Sequence, residues 1–552
     1  MTIFSKLVSL DAKWPSDVLT SVSVNRAKLE LIGASVLATV AVIKLYDLYD
    51  NDMLNFKTLK EKSFRLLICL PGVRGIAEKQ LADVDNTISK TIQKMYNSQV
   101  FLSDLPQTGL SDEHILRELS DYSHIGKVDW QMGRASGTVY CDGNRKLNDL
   151  MTKVYDKTAY TNPLHPDVFP GINKMEAEIV RMVCNLFNGN NDSCGTLTCG
   201  GTESIILAVK AARDYGREAK GITRSEIVVP VTAHAAFQKA AQLLNIRIKF
   251  IDSDPISYKV DIKSMRRAIT SNTVLLVGSA CNYPHGIIDD IKSIAELGLK
   301  YSIPVHVDSC LGGFLVPFMR AAGYPIPSVD FSVAGVTSIS ADTHKYGYAP
   351  KGSSVIMYAH KKYRKHQFSV QTDWPGGIYA TPTLAGSRCG ANIANCWATL
   401  LSFGFDGYVE ATKKIMKTQR FLKEELSKID GIYIIGDPLM SVIAIKSDRF
   451  NIFRLSDKLS EMGWSLNPLQ FPSAVHICLT LMHTKPEVVD SFLKDIKTVV
   501  NECLLTPKDN TGGLGVIYGM AQSLPDRSLV TDIASHYIDG IYTTEWSQTN
   551  GK

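Results

Sequence analysis

The chain predicts an α/β architecture: a large domain on a mostly parallel sheet, then a smaller α+β C-terminal domain. Three observations carry this prediction. Short β-branched apolar runs recur at Ile227–Val231, Ile248–Ile251, Val274–Val277 and Val305–Val307, each read as a strand buried on both faces. Helix-like stretches lie between them, at Glu203–Tyr215, Ala235–Leu244 and Ile291–Tyr301, and such alternation implies parallel strands wrapped by helices. After about residue 390 the pattern changes to helices at Val409–Leu426, Phe453–Met462 and Pro486–Val500, with short strands at Ile432–Ile435 and Ser441–Ile445.

Composition sets the outer bounds. At 552 residues, 45% apolar and 21% charged, the chain is globular and too long for one ordinary domain. A net charge of +5 over that length does not point to nucleic acid. The 11 cysteines are scattered, with no Cys-x-x-Cys and no His/Cys group at zinc spacing. Reduced thiols facing the cytosol, and no metal, are therefore expected.

The N-terminus carries an uncharged run, Leu31–Ile43, which extended to Leu29–Tyr49 takes in Glu30, Lys44 and Asp47 near its ends. A buried helix or a signal-peptide core is the other reading of such a run. Basic residues are denser after it (Lys44, Lys57, Lys60, Lys62, Arg65) than before it, which places the C-terminal bulk in the cytosol. The organisation expected is a short segment over 1–28, a transmembrane anchor over 29–49, a helical segment over 50–123, the large domain over 124–390 and the small domain with its tail over 391–552.

Four motifs fall where strands end, the place where open α/β sheets bind ligands. Thr198-Cys-Gly-Gly-Thr-Glu-Ser-Ile205 sets Gly200 and Gly201 before an apolar-periodic helix. Its backbone N–H groups, with the Thr202 and Ser204 hydroxyls, make a phosphate cradle; a plain capped turn reads the same way. Thr232-Ala-His234 follows a strand, and its imidazole could stack on a flat ring or simply cap a turn. Asp308, in His306-Val-Asp308, ends a Val-rich buried strand, where a carboxylate needs a partner: a protonated pyridine nitrogen, or the next turn. Ser338–Gly352 follows a β-like run at Val333–Val336 and sets His344 before Lys345, among Ser, Asp and Thr residues that could depress an amine pKa as a Schiff-base lysine needs. A loop lysine is otherwise usually a solvated charge.

Phosphate cradle, stacking His, anionic Asp and Lys, in that order, resemble the large domain of fold-type I pyridoxal-phosphate (PLP) enzymes, in the group that includes amino-acid decarboxylases. The resemblance implies PLP covalent on Lys345, its phosphate at Gly200, Gly201 and Thr202 with His344 beside it, His234 on the ring and Asp308 on the ring nitrogen. Longer stretches are similar to the sphingosine-1-phosphate lyase family: Gly133–Tyr140, Asn162–Gly171, Ser338–Gly352, Asp373–Ala380, Thr383–Arg388 and Gly515–Gln522. Cys310 departs from the alanine common near that position in decarboxylase relatives, and Thr381–Thr383 varies slightly.

That family resemblance implies retro-aldol cleavage of the C2–C3 bond of a phosphorylated sphingoid base, giving a long-chain aldehyde and phosphoethanolamine. It assigns Lys351, His165 and Tyr140 to the substrate phosphate, and Tyr283 and Tyr379 to proton handling or positioning. It also implies a homodimer with sites at the interface, Gly386–Arg388 crossing from the second subunit, and a single-pass anchor in the endoplasmic reticulum membrane. Two other readings stay open: an amino-acid decarboxylase on the same fold, and an inactive membrane-held scaffold.

Overall fold

The computed structural model describes residues 86–94, 96, 101–141, 143–507 and 527–544. The anchor expected at 29–49 lies outside these. Among the described residues no helix is long and apolar enough to cross a membrane. Contacts divide the chain into two units, residues 126–519 and a smaller one that joins the N-terminal residues to those from 520 onward. In the smaller unit Ile88 and Ile92, in the helix over 86–94, bury against Ile533 of the Arg527–Ile541 helix. Its Asp112–Ser123 helix is capped by the Ser111 side chain and leaves Ile115, Leu116 and Leu119 exposed.

The large unit is organised by seven strands: β1 (Cys194–Thr198), β2 (Glu226–Pro230), β3 (Arg247–Ile251), β4 (Thr273–Ser279), β5 (Val305–Asp308), β6 (Val336–Ala341) and β7 (Ser354–Tyr358). Their order is β1-β7-β6-β5-β4-β2-β3, and only β7 runs against the rest. The runs read as strands from their β-branched content are β2 to β5. β3 is a correction: it is the sheet edge, and only Ile251 of its five residues is buried, because no further strand covers it. The run at Val333–Val336 is a second correction, since the strand begins where it was expected to end. Ser338 and Ser340 belong to β6 because their hydroxyls satisfy the two ring nitrogens of the fully buried His306, at 2.9 and 3.2 Å.

Between strands the helices Gly201–Lys220, Ala236–Leu243 and Ile291–Tyr301 fall on the predicted stretches. The first ends at Gly221, whose left-handed backbone (φ 66°) lets its N–H bond the Arg217 carbonyl.

The helix expected at Val409–Leu426 is longer. It spans Gly390–Ser427 and is interrupted at Gly404, where φ is 60°. Beyond it β10 (Tyr433–Ile434), β11 (Val442–Lys446), β12 (Asn467–Leu469) and β13 (Ala474–Cys478) form an antiparallel sheet in the order β10-β11-β13-β12. This sheet reaches back to the site. Ser136 donates through Oγ to the His476 carbonyl and accepts from the Cys478 N–H, while Gly137 N–H donates to the Cys478 carbonyl. The Gly133–Tyr140 motif is thus sewn to β13.

Candidate active site

Three strands deliver the central groups at their C-terminal ends: β1 leads into Gly200–Gly201, β5 ends on Asp308, and β6 leads into Asp342–Lys345. The loop after β6 is held from several sides. Thr343 Oγ1 donates to Ser353 Oγ at 2.8 Å, and the Tyr408 hydroxyl donates to the Gly347 carbonyl at 2.8 Å. Rings of Tyr348, Phe403, Tyr408 and Phe318 stack behind it. A lysine on such a backed loop has little freedom to wander.

The Lys345 ammonium meets the Asp342 carboxylate at 2.9 Å, and His344 Nε2 meets the same oxygen at 3.4 Å. His344 Nδ1 accepts from the Ser353 N–H, so the ring proton sits on Nε2 and faces Asp342. Burial would raise the Asp342 pKa, yet Lys345 and His344 hold it well below the carboxylate range.

For Lys345 the structure corrects the sequence. Burial acts to lower its pKa, as expected, but the facing Asp342, then Cys310 and Asp308, hold it above the ordinary lysine value. The motif shows polar neighbours for this lysine but not that the carboxylate three residues back touches the amine.

Asp308 accepts from the Cys310 N–H at 3.0 Å and from the Ser340 hydroxyl at 3.3 Å, both on Oδ1. The Cys310 thiol donates in turn to Ser340 Oγ at 3.1 Å, and burial, then Asp308, push its pKa well up. It is an inert neighbour of the site.

Gly200 and Gly201 open their helix with no side-chain cap. A Cβ on Gly201 would lie 2.7 Å from Cys310 Sγ and 2.8 Å from Asp342 Oδ1, so only glycine fits there. Thr202 is exposed beside them. Ser204 does not line this cradle. It is fully buried, and its hydroxyl is engaged by Thr198 at 2.7 Å and Ser354 at 2.9 Å. Glu203 braces the turn from below, accepting from the N–H groups of Cys199 and Leu384.

A second group adjoins the first. The Lys351 ammonium lies 4.8 Å from the Tyr140 ring centroid and 3.4 Å from the His344 carbonyl. Burial and repulsion from Lys345 lower its pKa. Tyr140 is buried, packs edge-on to Tyr346 at 4.9 Å, and has its phenol pKa pushed well up, by burial first and then by Cys478, Asp342 and Tyr283. Tyr346 is fully buried, and its hydroxyl lies 2.6 Å from the Leu479 carbonyl, to which it donates, and 2.5 Å from the Ser441 hydroxyl.

Lys345, His344, Asp308, Gly200, Gly201, Lys351, Tyr140 and Tyr283 therefore gather at one end of the sheet. His234 stands exposed after β2, its Nδ1 accepting from the Ala236 N–H. His165 lies exposed on the 162–169 turn. Tyr379 sits in β9 (Tyr379–Thr381), which pairs with β8 (Ser369–Gln371), and its ring abuts Trp374. Arg388 is pinned within its own chain, by both oxygens of Glu176 at 2.6 and 2.8 Å and by the Leu197 carbonyl. Tyr346 and Cys478 have no signal in the sequence, and Asp342, inside the Ser340–Lys345 motif, shows there as a polar neighbour of the lysine and not as its counter-ion.

The residues present suit pyridoxal phosphate. A glycine cradle without room for a Cβ, a buried carboxylate with one oxygen left for a ring nitrogen, and a lysine between them are the parts it needs. Among the described residues no group of side chains is arranged to hold a metal ion.

Comparison with known proteins agrees. The model of the pyridoxal-dependent decarboxylase conserved domain matches residues 104–447. The chain is 54% identical over 485 residues to a sphingosine-1-phosphate lyase of Drosophila melanogaster, covering 88% of this chain and 89% of that protein. It is 50% identical over 517 residues to sphingosine-1-phosphate lyase 1 of Rattus norvegicus, covering 94% and 90%. The structure of the Burkholderia pseudomallei sphingosine-1-phosphate lyase superposes with a TM-score of 0.72 at 39% identity, covering 74% of this chain and 95% of that one. The chain belongs to the pyridoxal-dependent decarboxylase family, and within it to the sphingosine-1-phosphate lyases.

Proposed function

We propose that this chain cleaves the C2–C3 bond of phosphorylated sphingoid bases, releasing a long-chain aldehyde and phosphoethanolamine. The observation that carries the reading is the joining of two sets. Lys345, Asp308 and Gly201 are the set a PLP enzyme needs, and Lys351 over Tyr140 is a cation placed beside it for a substrate phosphate. A decarboxylase would need a carboxylate site there instead.

Gly200, Gly201 and Thr202 would hold the cofactor phosphate with His344 alongside, His234 would face the ring, Asp308 would bond its nitrogen, and Lys345 would carry it. Bound there, the cofactor supplies an electron sink for the pair left at C2 when the bond to C3 breaks. The chain does the rest. Lys351 and His165 bind and orient the substrate phosphate. Tyr140, its phenol held protonated by burial, donates a hydrogen bond rather than taking a proton. Tyr283 is suited to handling the proton that leaves the C3 hydroxyl as C3 becomes the aldehyde carbonyl, and C2 gains a proton in the product amine.

The reading extends to a homodimer and to anchoring of the chain by residues 29–49 in the endoplasmic reticulum membrane, with the catalytic part cytosolic. The apolar run Leu31–Ile43 supports the anchor. Exposed Trp374, Ile378 and Leu384, on the segment after β8, support a surface covered by a second copy.

The test uses detergent-solubilised protein with PLP and phosphorylated sphingosine, and mass spectrometry of the products. Hexadecenal and phosphoethanolamine, absent with Lys345→Ala, are expected. Carbon dioxide from amino acids with the lipid untouched would overturn the reading.

A further inference from the structure

We infer that Asn467 is a positioning residue for Tyr283, so that the C-terminal sheet aims a hydroxyl of the active site. The inference rests on the reading of Tyr283 as a proton-handling group. Tyr283 lies on the turn after β4, one strand from Asp308, and is among the groups whose charge bears on Tyr140. Tyr283 is 41% exposed, so packing alone does not fix the hydroxyl.

Two facing residues of the other sheet do. Asn467 Nδ2 donates to the Tyr283 hydroxyl oxygen at 2.8 Å. The His476 ring meets the Tyr283 ring edge-on, centroids 4.8 Å apart and planes at 71°. Asn467 and His476 are direct cross-strand partners in β12 and β13, so their side chains leave the sheet on one face. His476 also bonds the Pro284 carbonyl through Nδ1 at 3.0 Å. A carbonyl only accepts, so Nδ1 carries the ring proton, and the tautomer of this fully buried imidazole is set. Residue 283 is therefore held at its hydroxyl, its ring and the next peptide unit.

The chemical consequence follows from the direction of one bond. Because the amide donates, the Tyr283 oxygen spends a lone pair on Asn467 and directs its own proton elsewhere. The same face of β13 carries Cys478, whose Sγ lies 3.4 Å from the hydroxyl of Tyr346, the neighbour of Lys345. The strand that steadies Tyr283 thus also touches the residue next to the lysine.

The experiment is a double-mutant cycle on the PLP-loaded full chain with phosphorylated sphingosine, using Tyr283→Phe, Asn467→Leu and both together. Asn467→Asp joins it as a variant of equal size without the donor. Loss of one aiming hydrogen bond should lower kcat roughly tenfold in Asn467→Leu and in Asn467→Asp, with KM and the visible absorbance of the bound cofactor unchanged. In the Tyr283→Phe background Asn467→Leu should then cost nothing further. An equal loss in both backgrounds, or wild-type kcat in both Asn467 variants, would overturn the inference. Wild-type kcat in Tyr283→Phe alone would instead strike out the reading of Tyr283, and the inference with it.

Discussion

The Asp342 carboxylate, 2% exposed, holds the Lys345 ammonium at 2.9 Å and takes the His344 ring at 3.4 Å on the same oxygen. Removing it by Asp342→Ala leaves a mostly buried ammonium without its counter-charge, which should destabilise the fold by about 3 kcal/mol near neutral pH. The pH dependence has a definite sign. Asp342, held below its unfolded value, contributes stability that is present above about pH 4 and lost as acid protonates it. Lys345, held above its unfolded value, contributes up to about pH 10 and loses that contribution only at higher pH. Urea unfolding should therefore show the wild type and Asp342→Ala furthest apart between about pH 5 and 9 and converging below about pH 4. Curves that stay parallel well below pH 4 would refute the pairing.

Lys345 and Lys351 should separate cleanly. Lys345→Ala is expected to abolish turnover and the visible absorbance of bound cofactor together. Lys351→Ala, which removes the cation over Tyr140 but leaves the Asp342–Lys345 pair, should keep the absorbance and raise KM for the phosphorylated substrate. A wild-type KM there would remove Lys351 from phosphate binding.

What the sequence made legible, and what it hid, divides along sequence distance. β2 to β5 could be read because buried strands need unbroken β-branched runs, and the glycine turn and strand-end Asp because the motif itself is short. The environment of Lys345 could not, because its pKa depends on which neighbour touches it. A carboxylate three residues back outweighs burial only if the loop turns Asp342 inward, as the close approach of Gly201 allows. Tyr346, Ser441 and Cys478 were hidden for a further reason. They meet across 95 and 132 residues of chain, and no local pattern records such a contact. The edge position of β3 likewise depends on strand order, which periodicity does not carry.

The Arg388–Glu176 pair should be a stability element. The two terminal guanidinium nitrogens each donate to one carboxylate oxygen, and Glu176 is 9% exposed. Arg388→Ala leaves that carboxylate buried and unpaired and should cost about 3 kcal/mol or more in a denaturant titration. Adding Glu176→Gln to Arg388→Ala should recover part of the loss. If the double variant is no more stable than Arg388→Ala, the cost comes from the Leu197 carbonyl and not from the stranded charge.

Acid sensitivity should begin with histidines before carboxylates. Burial pushes the pKa values of His285, His306, His476 and His483 down to about 4, while an unfolded chain would bind a proton on each at about 6.5. Between those values the unfolded state holds more protons than the native one. Stability must therefore fall as pH drops from about 6.5 toward 4, by about 1.4 kcal/mol per pH unit for each ring. His285 is the place to test this. It is 2% exposed, and among the described residues neither ring nitrogen has a hydrogen-bond partner, so an apolar replacement removes the titration without breaking a hydrogen bond seen there. His285→Leu should flatten the fall in urea midpoint between pH 6.5 and 4.5 by about one ring's share, with the difference from wild type growing as the pH is lowered. An unchanged slope would mean that His285 takes up its proton in the folded state at its ordinary pKa.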